Sequence, residues 1–186
     1  MDFITSLANT VKADQVVCDP VAQMADFDPT RYMGTWYEQI HVKDSQEPTY
    51  YQCSTAQYTD LDTSTSSFNV YNSFQTPILG HFLPRFGVHA KATCESNYCY
   101  ISFFGKEVPT PNLLVADTDY DNYSISYRCD TEGNKIYLWI NTREPSVSDE
   151  YFQSLQQKAI AMFPNFDTTW WDPQLTQGDQ CSYASL

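Results

Sequence analysis

The sequence predicts an all-β fold: an eight-stranded antiparallel up-and-down β-barrel with one C-terminal α-helix packed on its side. Three observations carry this. Eight short runs between Thr35 and Arg143 alternate apolar and polar residues and are separated by turn formers. From Ser148 the apolar spacing switches to that of a helix. Six cysteines lie dispersed through an acidic chain with 14 Tyr, 11 Phe and 4 Trp, an even number that suits disulfides. The strand pattern alone fits a barrel or a sandwich. A closed barrel has no sheet edges, which matters for strands this aromatic.

Residues 1–17 show mixed polarity and no period, and are expected to form a flexible lead-in to a single domain over 18–186. Asp28 followed by Pro29 is a helix-start signal, and one tight turn leads to Gly34, which can end it without steric cost. Trp36, Glu38, Ile40 and Val42 then share one face of a first strand, about 35–43. The connector 44–52 is long for a strand link and is expected to be functional. Cys53–Thr59 is a second strand, with its turn at 60–65. Ser67–Phe74 and Phe86–Thr93 alternate cleanly, a hairpin at 95–97 leads into Tyr98–Phe104, and Leu113–Thr118 follows a Pro109-Thr110-Pro111 break. Tyr123–Cys129 and Lys135–Arg143 form the last hairpin. Ser148 is the N-cap of an amphipathic helix with Tyr151 at N3. Tyr151, Leu155, Ala159 and Met162 recur at helical spacing, and Pro164 stops it. Residues 166–186 read as a short added strand and an anchored tail, with Trp170-Trp171 as wall packing.

At 186 residues the chain is large enough for one real core. A net charge of −13 removes any uniform basic footprint for nucleic acid or anionic membrane. It argues for solubility and, secondarily, for a cationic protein partner met by the acidic surface or the N-terminal segment. No apolar run reaches the roughly 20 residues of a transmembrane segment. Met1-Asp2-Phe3-Ile4-Thr5 shows no signal peptide, so a leader is expected to have been trimmed or removed on maturation. The cysteines show no Cys-x2-Cys pair and no ligand spacing to His41, His81 or His89, which disfavours zinc and points to an oxidising compartment. Six cysteines allow 15 pairings.

Gly34-x-Trp36-Tyr37-Glu38, then Thr118-Asp119-Tyr120 after a strand-like run, then Arg143 at the end of another, resembles the lipocalins in order and kind. The nearest likeness is to the apolipoprotein D and bilin-binding-protein branch, over roughly residues 18–181. The resemblance implies Cys18–Cys129 and Cys53–Cys181 bridges, which leaves Cys94 with Cys99. It implies that the segment after Cys18 crosses the closed end of the barrel, that Trp36 plugs that end with Arg143 across its ring, and that the 44–52 loop covers the open mouth.

If Arg143 points inward, parity puts Tyr137, Trp139 and Asn141 on the inner face, and Glu38, Ile40 and Val42 beside Trp36. Apolar parity adds Tyr58, Phe68, Val70, Asn72, Phe74, Phe86, Val88 and Ala90. In the fifth strand Tyr100, Ser102 and Phe104 are favoured, with Ile101 and Phe103 competing. Leu113–Thr118 stays unassigned, because Asp117 interrupts it. The candidate ligand-binding residues are therefore Ile40, Tyr58, Val70, Asn72, Phe86, Val88, Tyr100, Phe104, Tyr137 and Trp139. Aromatic walls with sparse polar groups suit one small hydrophobic ligand: lipid, fatty acid, steroid, retinoid or pigment. No cofactor is required. The competing expectation is a barrel filled by its own side chains that acts as a subunit of an extracellular or lumenal assembly.

Enzymatic readings have less support. Asp119 is accounted for as a turn former, no nucleophile–base pair is legible, and all six cysteines have partners. His89, the position for haem ligation, points outward by parity. Asn122-Tyr123-Ser124 is an N-glycosylation sequon in a turn of a chain expected to be secreted.

Overall fold

The computed structural model describes residues 15–44 and 48–185. Eight strands close one antiparallel barrel: β1 (Gly34–Ile40), β2 (Gln52–Asp62), β3 (Ser67–Gln75), β6 (Phe86–Glu95), β7 (Tyr98–Phe103), β8 (Leu113–Thr118), β9 (Tyr123–Asp130) and β10 (Lys135–Thr142). Their order is β1-β10-β9-β8-β7-β6-β3-β2, so β1 pairs with both β2 and β10 and no edge is left open. Between β3 and β6 the chain adds a small separate hairpin, β4 (Pro77–Ile78) with β5 (His81–Phe82). Closure excludes the sandwich.

Parity fails at two points with consequences. The β1–β10 register slips between Glu38 and Ile40. A bulge inserts one residue and sends the following side chains to the opposite face. Ile40 and Val42 therefore leave the inner face and join the outer core with Ile125, Leu138 and Ile140. His41 lines the interior instead. A second slip, between Val115 and Asp117 in the β8–β9 pair, settles the strand that sequence left open. Leu113 and Val115 pack inside, whereas Leu114 and Ala116 pack outside. Asp117 also faces outward, where it accepts a hydrogen bond from Tyr123 Oη at 2.8 Å and pairs with Lys158.

That outer core is covered by α2 (Asp149–Met162). Ser148 Oγ caps it by accepting from Tyr151 N at 3.2 Å. Phe152, Leu155, Ala159 and Phe163 bury their side chains against the barrel wall, with the Phe163 and Tyr127 rings stacked at 4.3 Å. Trp171 joins the same core and donates from Nε1 to Leu138 O at 2.9 Å. The added strand expected here reduces to a single bridge, Val42 with Trp171.

Three disulfides form: Cys18–Cys129, Cys53–Cys181 and Cys94–Cys99. The Cys53–Cys181 bridge spans 128 residues, and chain-entropy reasoning gives a closure this long up to about 4–5 kcal/mol. Residues 1–14 of the expected lead-in lie outside the described residues. From Val16, which donates to Asn134 Oδ1 at 2.7 Å, the chain first descends the outer wall, with Tyr98 Oη donating to Val21 O. It reaches the closed end only near Met24, whose N–H donates to Asn97 Oδ1 at 2.9 Å. The Cys18 tether lies on the wall at β9, so the expected crossing of the closed end falls in the last part of the segment up to Asp26.

A candidate ligand cavity above a sealed floor

The floor is built first. Asp28 Oδ1 accepts from Thr30 N at 2.8 Å and caps α1 (Pro29–Tyr32). Gly34 follows at φ +99°, where a Cβ would lie 3.2 Å from an Arg143 guanidinium nitrogen. Trp36 is 1% exposed and donates from Nε1 to Tyr32 O at 3.0 Å. The Arg143 guanidinium carbon lies 3.7 Å from the centre of the Trp36 ring. The same guanidinium donates to four carbonyls: Tyr120 and Thr35 at 2.9 Å, Arg31 and Met33 at 2.8 Å. Burial lowers its pKa from the ordinary arginine value.

Thr118-Asp119-Tyr120 ties the neighbouring turn. Asp119 Oδ1 accepts from the N–H groups of Asp121, Asn122 and Tyr123, and Tyr120 Oη accepts from Asp28 N at 3.0 Å. Inside this end Tyr32, Tyr58, Phe68, Val70, Ala90, Ala92 and Val115 form one buried cluster, with Tyr32 stacked on Tyr58 at 5.6 Å. Burial pushes the Tyr58 phenol well above its usual range, with Tyr32 and Glu38 adding to it.

Above the floor lies a cavity of about 490 Å³, within the usual size of small-molecule sites, roughly 300–1,000 Å³. Tyr58, Asn72, Val88, Tyr137 and Trp139 line it, and Phe104, 87% exposed just past the end of β7, borders it only at the mouth. Tyr137 and Trp139 are stacked at 5.7 Å, 11° from parallel. The Tyr137 phenol is pushed up to about 12, by burial first and by the Asp44 carboxylate second. Asn72 Oδ1 is a buried acceptor with no hydrogen-bond partner.

Four candidates sit elsewhere. Val70 belongs to the packed floor. Phe86 stands at the rim, 61% exposed, its ring 5.6 Å from that of Phe74. Ile40 is outside through the β1 bulge. Tyr100 and Ser102 are outside because Ile101 and Phe103 pair with Ala92 and Ala90 and take the inner face with them. Both faces of β7 are apolar enough that composition could not choose.

Several lining residues escaped the sequence reading. Arg128, whose guanidinium carbon lies 5.3 Å over the Tyr137 ring, Ser54, Ser126 and Tyr51 all line the cavity. Tyr51, in the 44–52 connector, stacks on Phe74 at 3.4 Å, although residues 45–47 of that connector lie outside the described residues. Asn112 mimics a strand: its amide bonds both the N–H and the C=O of Ile101, at 2.7 and 2.9 Å. His41 Nδ1 is 2.5 Å from Glu38 Oε1 and its Nε2 is 3.3 Å from Asp172 Oδ2. Thr49 Oγ1 donates to Asp172 Oδ1 at 3.1 Å, so this chain links the cavity wall to the mouth loop. The alternation Trp36–Glu38–Ile40–Val42 concealed His41, since only the bulge brings it in.

His89 stacks on Tyr71 at 4.5 Å on the outer wall, away from the cavity. Asn122 is exposed, but its Nδ2 donates to Asp119 Oδ2 at 2.8 Å, and Ser124 of the sequon is buried against Tyr32 Oη at 2.7 Å. Among the described residues no cysteine is free, no His/Cys/Asp/Glu group could hold a metal ion, and no helix is long and apolar enough to cross a membrane.

Residues 27–171 match the sequence model of the lipocalin-like domain family. Insecticyanin-A of Manduca sexta is 31% identical over 130 residues, 66% of this chain and 67% of its own length. Outer membrane lipoprotein Blc of Escherichia coli K12 is 29% identical over 150 residues, 80% of this chain and 79% of its own. The solved structure of insecticyanin from the tobacco hornworm superposes with a TM-score of 0.68 at 22% identity, covering 92% of both chains. A match running from the Asp28 cap to Trp171 takes in the indole–guanidinium floor and every barrel strand. On that ground the chain belongs to the lipocalin family, typically non-enzymatic binders of hydrophobic ligands.

Proposed function

We propose that this protein binds and carries one small, largely apolar molecule, non-covalently, in the barrel cavity, as a secreted member of the apolipoprotein D-like branch. The observation that carries the reading is a cavity of about 490 Å³ standing above a floor of buried side chains. Its aromatic and aliphatic walls supply affinity at roughly 25 cal/mol per Å2 of apolar surface removed from water. Asn72 Oδ1 and the Tyr137 hydroxyl supply orientation. A flat or conjugated ligand, a retinoid, steroid or pigment, fits the parallel Tyr137 and Trp139 rings; a lipid or fatty acyl chain fits the aliphatic wall at Val88 and Ile101. The three disulfides suit an oxidising compartment, and secretion is the simplest such destination.

A self-filled barrel serving as an assembly subunit is disfavoured by the same cavity. Fluorescence titration with retinol separates the two. Wild type takes up one equivalent with quenching of cavity tryptophan. Val88→Trp, which fills the cavity from a half-buried wall position, loses at least tenfold in affinity. Absence of uptake of retinol, a fatty acid and a steroid alike would overturn the carrier reading.

A further inference from the structure

All large apolar side chains left exposed among the described residues gather at one end of the barrel. Tyr50, Ile78, Leu79, Leu83 and Phe104 lie on the three connections 48–51, 76–85 and 104–112 that surround the open mouth, and Phe86 opens β6 beside them. The seventh, Val17, follows Val16, which is bonded to Asn134 in the β9–β10 turn at the same end.

Two of them are held out by the backbone itself. Leu79 is 97% exposed at φ +47°, followed by Gly80 at φ +81°. Phe104 is 87% exposed at φ +55°, followed by Gly105 at φ +70°. Ile78 pairs with His81, and Lys106 N donates to Phe103 O at 3.1 Å, so both are two-residue reversals with both central residues left-handed. Such reversals favour Asn-Gly or Asp-Gly, because a bulky side chain is strained there. At the closed end the non-glycine left-handed positions are Asp60, Ser66 and Ser96, all polar, and Tyr120, whose ring packs against the floor and whose hydroxyl accepts from Asp28 N, so none leaves a large apolar side chain in solvent. The open end twice places a large apolar residue where a small polar one is cheaper.

Charge is divided in the same way. The described residues of the four open-end connections (43–44 and 48–51, 76–85, 104–112, 131–134) hold three of the chain's ten Lys and Arg (Lys43, Arg85, Lys106) and three of its 23 Asp and Glu (Asp44, Glu107, Glu132). The rim is near neutral on a body that carries the net −13.

We propose that this rim docks onto a zwitterionic phospholipid surface, with Leu79 and Phe104 inserted as apolar tips, so that the cavity mouth faces the lipid. An anionic bilayer would repel the body, and two copies at −13 each would repel one another. A neutral lipid surface accepts the tips without either cost. The two tips stand on different connections around the mouth, so cargo passing between lipid and cavity need not cross water.

Flotation of the full chain with phosphatidylcholine vesicles tests this. Wild type is expected to float with the vesicles, and to float less as phosphatidylserine is added at low salt. The double variant Leu79→Asn, Phe104→Asn is expected to bind about 100-fold more weakly, roughly tenfold per residue. Its thermal midpoint should equal or exceed that of wild type, since Asn is at ease in left-handed turns, so lost binding will not reflect lost fold. The proposal is overturned if wild type stays with the soluble fraction, if the variant floats equally well, or if phosphatidylserine strengthens binding. A wild-type dimer that ignores vesicles and is abolished in the variant would assign the rim to a second copy instead.

Discussion

At the closed end Arg143 covers Trp36 and donates to four carbonyls; at the open end Leu79 and Phe104 project into solvent on left-handed backbone. One end has its polar groups matched and its aromatics buried. The other leaves a cavity unfilled and apolar surface uncovered. The closed end is filled by its own side chains, and the mouth is left to carry recognition. That division is common in proteins whose binding regions come from the less stabilised part of the fold.

The comparison is broken most directly by deleting the floor. Trp36→Ala is expected to cost about 3–5 kcal/mol, from lost burial and the cavity left behind. Arg143→Ala is expected to cost a similar amount, because buried carbonyls lose their donors at about 1–3 kcal/mol each and solvent recovers only part of that. Phe86→Ala at the rim should stay within about 0.5 kcal/mol. Urea unfolding of the three variants gives the contrast. A rim variant as costly as Trp36→Ala would mean that the open end holds the fold together too.

A smaller effect sharpens the boundary between wall and cavity. Ile40→Ala removes a side chain 3% exposed in the core beneath α2, and should cost about 2–4 kcal/mol. Retinol affinity, measured well below the unfolding midpoint, should not change. Were Ile40 inside, as simple alternation has it, affinity would fall with stability.

That contrast also shows what the sequence made legible. Period two located all eight barrel strands, and the Asp28-Pro29 and Ser148 signals located both helices, because each rests on local chemistry. The Trp36–Arg143 floor and two of the disulfide pairings came with the family resemblance, which carries long-range information that composition lacks. What stayed hidden was single-residue register. A bulge at Glu38–Ile40 or Val115–Asp117 has no compositional mark, yet it exchanges Ile40 for His41 at the cavity. β7 was misoriented because the Tyr100 ring competes with Ile101 and Phe103 for the interior; only pairing with the small Ala90 and Ala92 decides. The β4–β5 hairpin, two residues a side, is too short to show any period.

The smallest effect concerns acid. Burial of Asp119 acts to raise its carboxyl pKa, but hydrogen bonds from the Asn122 side chain and the N–H groups of Asn122, Tyr123 and Asp121 outweigh it and hold the value below the ordinary carboxylate range. A folded-state pKa depressed in this way contributes stability above the unfolded value, about 3.9, and that contribution is lost as pH falls through the folded one. Asp119→Asn keeps an acceptor and removes the charge. At pH 7 it should be less stable than wild type by under about 1 kcal/mol, given the solvent screening of this turn. Between pH 5 and 7 the gap should hold steady, and below about 4 it should close as the wild-type carboxyl takes up its proton. The same comparison on Leu79→Asn at the mouth should show no such closure, since that substitution removes no titrating group. A gap at Asp119 that widened in acid would reverse the sign and leave the closed-end turn without its electrostatic account.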